Sequence, residues 1–127
     1  MPTPCEKAVS EYFAAIRAMD VERWVKTFDP KAVSQDPVGT PALHGHEELR
    51  QFLTQINSGF ETLDLTEDRV FVNGNSAAIK WNGKGTGRNG KSVTFEGIDV
   101  IHCNDAGKIV AVEAYWDPGP IMAVIQS

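Results

Sequence analysis

Arg69-Val70-Phe71-Val72-Asn73-Gly74-Asn75-Ser76-Ala77-Ala78-Ile79-Lys80-Trp81 is the stretch that decides the fold. Asn73-Gly74 is a two-residue hairpin signal, because both residues tolerate the positive φ that such turns demand. After it Ala77, Ile79 and Trp81 recur with a period of two, so they share one face of a strand. Before it Leu63-Asp64-Leu65 opens a strand that runs on through Arg69-Val70-Phe71-Val72. Further on, the glycines from Gly83 to Gly87 mark either a turn at Asn82-Gly83 or one long strand that bends. A second hairpin is expected at Asn89-Gly90. Ser92–Cys103 is the longest strand, Asn104-Asp105-Ala106-Gly107 ends it, and Ile109–Trp116 is the last.

Upstream of Gly59 the period is helical. Thr3-Pro4-Cys5-Glu6 reads as a capping box, with Thr3 at the N-cap and Pro4 at the first helical position. Val9, Tyr12, Phe13, Ile16 and Met19 then recur at helical spacing, which predicts an amphipathic helix to about Ala18. Asp20 is a second N-cap. Val21, Trp24, Val25 and Phe28 form the stripe of a shorter helix ended by Asp29-Pro30. Gly45 opens a third helix, with Glu47 and Glu48 in the first turn where the helix dipole favours acids. Its buried face is Leu49, Phe52, Leu53 and Ile56, and Asn57-Ser58-Gly59 stops it. Helices followed by hairpin-linked strands make an α+β fold with a largely antiparallel sheet. In the last strand Val110, Val112, Ala114 and Trp116 share one face, and Ile109, Ala111, Glu113 and Tyr115 the other. Both faces are mostly apolar. Three helices cover only one face, so the outer face is expected to be buried in a homodimer.

The 127 residues are 42% hydrophobic, enough for one domain, 1–127, with a real core. No apolar run reaches the roughly 18 residues of a membrane span, and the polar N-terminus lacks the apolar centre of a secretion signal. The expectation is a cytoplasmic protein with no membrane partner. A net charge of −5 with scattered lysines and arginines argues against nucleic acid. Cys5 and Cys103 make no disulfide framework, so reduced thiols are expected.

Chemistry concentrates in Ser34-Gln35-Asp36-Pro37-Val38-Gly39. Asp36 follows the apolar Ala32-Val33, Pro37 holds it in extended geometry, and Gly39 lets the chain turn. An acid on such a corner projects readily into a cavity, although Asp-Pro and Pro-x-Gly are also ordinary turn vocabulary. In the longest strand Phe95, Gly97, Asp99, Ile101 and Cys103 share a face. Asp99 is flanked by Ile98 and Val100, and aspartate is disfavoured within strands. Burial near another negative group raises a carboxyl pKa and leaves it a neutral hydrogen-bond donor. Tyr12 lies on the apolar stripe of the first helix, where a buried phenol needs a partner. The set has complementary roles: Asp36 as general base, Tyr12 and protonated Asp99 as donors to a developing oxyanion.

The sequence resembles the Δ5-3-ketosteroid isomerases of the nuclear transport factor-like (SnoaL-like) superfamily. The resemblance covers nearly the whole chain. It rests on Tyr12-Phe13-Ala14-Ala15-Ile16-Arg17-Ala18 with Asp20, Gln35-Asp36-Pro37-Val38-Gly39, Gly97-Ile98-Asp99, and Ala106-Gly107-Lys108-Ile109-Val110. It implies a cone-shaped, curved, mostly antiparallel sheet wrapped around the N-terminal helices. It also implies Asp36 as the proton-shuttling base and Tyr12 with Asp99 as the oxyanion hole. A carboxylic acid kept neutral by an apolar site is a known device of that family, so this feature comes with the resemblance. Leu53 stands where the family often has a tyrosine supporting the phenol, and Phe28 where some members have tyrosine. Trp116 falls at an aromatic position of the steroid pocket.

The implied reaction moves a double bond beside a ketone through a dienolate and needs no cofactor. Expected pocket walls are Val9, Phe13, Ile16, Val38, Phe52, Ile56, Phe71, Phe95, Ile101, Val112, Ala114 and Trp116, which suit a small apolar ligand, steroid-like or polyketide-like. Cyclisation or dehydration of a polyketide-like substrate and non-catalytic ligand binding are the rival readings. No metal site is expected: His44 and His46 lack companions at ligand spacing, and His102 faces away from Asp99. Trp24 and Trp81 read as core residues.

Overall fold

The computed structural model describes residues 2–126; Met1 and Ser127, the outermost residues of the expected 1–127 domain, lie outside the described residues. The chain forms α1 (Pro4–Arg17), α2 (Val21–Val25), β1 (Phe28–Gln35), β2 (Leu43–His44), α3 (Gly45–Ser58), β3 (Phe60–Asn73), β4 (Ser76–Gly87), β5 (Ser92–Cys103), β6 (Ile109–Trp116) and α4 (Gly119–Ile125). The central hairpin is present, one residue later than its sequence signal. Asn73 pairs with Ser76, so Gly74-Asn75 makes the turn, with Gly74 at φ 62. That is the glycine-first form of a two-residue hairpin. β4 runs unbroken through Asn82-Gly83 to Gly87. The glycines there are bare for steric reasons: a Cβ on Gly83 would lie 2.7 Å from the Phe95 ring.

The strands form one curved, unclosed sheet in the order β2-β1-β6-β5-β4-β3. Every neighbouring pair is antiparallel except β1 and β6, which run parallel. The result is an α+β fold in which α1, α2 and α3 lie against the inner face. α1 begins with the expected capping box between Thr3 and Glu6, and α2 with an Asp20 side chain accepting from the Arg23 amide. α2 is shorter than expected. The Thr27 hydroxyl donates to the Trp24 carbonyl at 2.7 Å and closes the last turn, and Phe28 leaves the helix to pair with Ile109. Pro30 fits inside β1 because the register shifts between Phe28 and Val33. A second shift, between His102 and Cys103, turns Ile109 inward to full burial, contrary to its expected place on the outer face.

α4 is an element the sequence did not announce. The Asp117 carboxylate accepts the Gly119 amide at 2.9 Å, and Ile121 and Val124 bury themselves at the open end of the sheet. At the other end the buried Cys5 and Cys103 thiols sit 2.6 Å apart, both free. Burial, more than the neighbouring thiol, pushes Cys103 up to about 12. No helix among the described residues is long and apolar enough to cross a membrane.

Candidate active site

Asp36 terminates β1 and begins a corner that β6 holds in place. The Asp36–Pro37 peptide is cis, and the Val38 amide donates to the Ala114 carbonyl at 2.7 Å. The half-buried Asp36 side chain thereby meets Trp116, whose Nε1–H donates to Oδ1 at 2.6 Å. Loss of solvent pushes the carboxyl up from 3.8 to about 6, and the indole N–H pulls the other way. At neutral pH Asp36 is mostly a carboxylate, weakly enough held to take up a proton.

Asp99 lies deeper on β5, 2% exposed, with the Trp81 Nε1–H donating to its Oδ1 at 2.9 Å. Burial is the main reason its pKa is pushed up to about 8, with the Asp36 charge adding to it. The Trp81 N–H and the Tyr12 phenol oppose the shift without cancelling it. With Asp36 ionised, Asp99 is therefore neutral at pH 7 and has a proton to donate. Tyr12 on α1 is equally buried, its ring wedged among Phe13, Trp24 and Phe28 at centroid distances of 5.0, 5.7 and 5.9 Å. Burial first, then the charges of Asp99 and Asp36, raise the phenol well above its ordinary value of 10. It stays a donor at any physiological pH.

These groups line one cavity together with Ile16, Trp24, Phe52, Leu53, Ile56, Leu63, Leu65, Trp81, Phe95, Trp116 and Ile121. The cavity and its mouth hold about 500 Å³ of empty space, yet only about 50 Å³ of it is reachable by the centre of a water molecule. It is a narrow slot. Trp81, Phe95 and Trp116 make an aromatic wall, with Phe95 edge-on to Trp81 at 5.5 Å. Gly97 makes that wall possible. It pairs with Trp81 on one side and Trp116 on the other, and a Cβ there would come within 2.6 Å of the Trp81 ring.

Of the expected walls, Ile16, Phe52, Ile56, Phe95 and Trp116 line the cavity. Val9, Phe13, Ile101, Val112 and Ala114 do not: they are buried in the core away from it. Val38 is exposed beyond the proline corner. Phe71 is on the outer face, 61% exposed, because the register shift between Glu67 and Arg69 reverses the alternation of β3. Trp24 and Trp81, read from sequence as core, both reach the cavity. The available signal was chemical, since a buried indole N–H calls for an acceptor. His46 bonds the Phe28 carbonyl at 2.8 Å, and His102 bonds Ser76 and Glu113 on the outer face. Among the described residues no cluster of three or more His, Cys, Asp or Glu is placed to hold a metal.

A narrow apolar slot with a carboxylate at its mouth and two neutral donors at its base can take a proton from a ligand carbon while holding an oxygen of the same ligand. Comparison with known proteins gives the family and the fold. The family model described as SnoaL-like domain matches residues 9–112, and the chain belongs to that family. A steroid Δ-isomerase of Nocardioides simplex is 21% identical over 122 residues, covering 96% of this chain and 97% of that protein. An NTF2-like protein of unknown function from Burkholderia pseudomallei superposes with a TM-score of 0.85 at 20% identity, over 98% of this chain and 99% of that one. A Δ5-3-ketosteroid isomerase from Mycobacterium sp. superposes with a TM-score of 0.81 at 22% identity, over 93% and 96%. At these identities the solved structures establish the fold alone.

Proposed function

We propose, from the premise of SnoaL-like membership, that this chain is a cofactor-independent isomerase. It moves a carbon–carbon double bond beside a ketone, as a steroid Δ-isomerase does. The Asp36 carboxylate removes a proton from the carbon α to the carbonyl. As the electron pair moves onto the carbonyl oxygen, the resulting dienolate accepts hydrogen bonds from the Tyr12 hydroxyl and the protonated Asp99. Asp36 then returns the proton two carbons along. Every proton and electron pair stays between ligand and protein, so the sequence of steps needs no further group. The Trp116 N–H steadies Asp36 between the two transfers.

One observation carries this reading: Asp36, Tyr12 and Asp99 line a single apolar cavity, with the more acidic carboxyl at its mouth and the less acidic one buried. Two carboxyls pushed apart by environment supply a base and an acid at the same pH. The cavity is narrow for a four-ring ligand, so binding a steroid requires side chains of α3 and α4 to give way. The same reading includes a cytoplasmic homodimer joined through the outer sheet face, where Ile98 and Tyr115 are exposed and paired across strands.

The test is a panel of β,γ-unsaturated ketones, a steroid among them, set against β-hydroxyketones. Isomerisation is expected with the first group. Asp36→Asn is expected to lower it by more than the roughly hundredfold that one oxyanion donor is worth. Unchanged isomerisation in Asp36→Asn sinks the mechanism, and turnover confined to the hydroxyketones reassigns the site to dehydration.

A further inference from the structure

Three indoles touch the cavity, and two of them hold a carboxyl group: Trp116 that of Asp36, Trp81 that of Asp99. The third is unaccounted for. Trp24 is 1% exposed, and its Nε1–H has no hydrogen-bond partner. A buried donor left unpaired is costly and needs an explanation. Its ring is held edge-on against Phe28 at 4.9 Å and lies 5.7 Å from the Tyr12 ring. Leu53, on the same wall, offers no acceptor. The Tyr12 phenol is the neighbouring polar group of the same cavity, and the Trp24 N–H opposes, as the smallest influence, the rise that burial imposes on it.

We infer that Trp24 is the positioning residue for Tyr12: its unpaired indole N–H donates to the phenol oxygen when the Tyr12 hydroxyl turns to donate its hydrogen bond to the oxygen of a bound ligand. At rest the phenol directs its hydrogen towards Asp99. When a ligand oxygen gains negative charge, it draws the phenolic proton, and the Tyr12 oxygen becomes a better acceptor. Hydrogen bonds in such a chain strengthen one another. Trp24 therefore acts more on the charged intermediate than on the neutral ketone, which places its effect on kcat rather than KM. The ligand class this favours is a planar, conjugated oxyanion, an enolate or a phenolate. The inference deepens the isomerase reading, and its test is separable from that reading.

The probe is 2-naphthol, a flat two-ring phenol whose ionised oxygen stands for the dienolate oxygen. Binding is measured for the wild type, Trp24→Phe, Tyr12→Phe and the double variant. Trp24→Phe is expected to weaken binding roughly fivefold, the worth of one hydrogen bond. In the Tyr12→Phe background it should cost less than twofold, because a residue acting through Tyr12 has nothing left to act on. Equal losses in the two backgrounds overturn the inference. In parallel, the ¹⁵N-indole signal of Trp24, assigned through its contact with Phe28, is followed as 2-naphthol is added to saturation. It is expected to move downfield in the wild type and to stay in place in Tyr12→Phe, and equal movement in the two proteins overturns the inference. That second measurement needs no change at Trp24. Should 2-naphthol fail to bind the wild type, the ligand-site reading fails and this inference with it, whereas binding with equal losses or equal signal movement removes only the role of Trp24.

Discussion

Asp99→Asn tests the neutral buried carboxyl without reference to any substrate. The amide keeps the shape: its oxygen can still accept from Trp81, and its NH₂ takes the place of the carboxyl O–H. What it removes is the proton. In the unfolded chain Asp99 ionises near its ordinary 3.8, whereas in the fold it holds its proton to about 8. Between those values the folded state binds one proton more than the unfolded state. Stability therefore falls as pH rises through this window and levels off above about 8. At about 1.4 kcal/mol for each tenfold change in proton affinity, the ceiling on this loss is about 6 kcal/mol. Water entering through the mouth when the carboxylate forms relieves roughly half of it, which leaves about 3 kcal/mol. With a urea m-value of about 1–3 kcal/mol/M, the midpoint at pH 9 should lie between about 1 and 3 M higher in Asp99→Asn than in the wild type. The two proteins should converge near pH 4, where the window opens, both retaining the smaller slope from Asp36. Urea titrations followed by tryptophan fluorescence from pH 4 to 9 measure this directly. Midpoints running in parallel across pH 6 to 9 would refute the placement of a neutral Asp99 in the cavity.

Trp116→Phe removes the N–H that holds Asp36 below the value burial alone would give it. The acid limb of the rate–pH profile, expected near 6, should therefore move to higher pH; a limb that stays put shows that Asp36 is not the group titrating. Ile98→Glu puts a charge in the middle of the outer sheet face, opposite Tyr115. It is expected to halve the sedimenting mass while leaving the far-ultraviolet spectrum intact, and a wild type that sediments as a monomer at every concentration removes the proposed dimer.

Where local chemistry decides the structure, the sequence could be read closely. Ser92–Cys103 and Ile109–Trp116 form over the expected residues because Asn104-Asp105-Ala106-Gly107 leaves the chain no alternative to a turn. Phe28 shows the opposite case. It fits the helical stripe of α2 as well as it fits a strand, and only the distant Ile109 settles which. α4 was hidden because Pro118-Gly119-Pro120 reads as a breaker, although proline is tolerated where a helix begins. The pocket walls suffered from a related ambiguity. Alternation says which face a side chain takes but not how far along the sheet it sits. Ile101, Val112 and Ala114 thus took the predicted inner face and still ended in solid core. Phe71 missed even the face, since a register shift two residues upstream of it leaves no mark in the alternation.

The three tryptophans explain why this hollow can be both dry and polar. Raising Asp36 to about 6 and Asp99 to about 8 requires that water be displaced, which any large apolar side chain does. Leucine or phenylalanine in those places would desolvate the carboxyls but leave them free to turn. An indole removes water with its rings and fixes one oxygen with its N–H. Trp116 Nε1 on Asp36 Oδ1 and Trp81 Nε1 on Asp99 Oδ1 each leave the second carboxyl oxygen available for a proton. The N–H contacts lower both pKa values somewhat, but burial is the larger effect at each site, so the acids stay weak while their orientation is set. Trp24 extends the same device to the phenol. The chain has only three tryptophans, and all three line the cavity. Desolvation and orientation come there from the same side chains, so replacing any one of them should alter both the acidity and the aim of the group it faces.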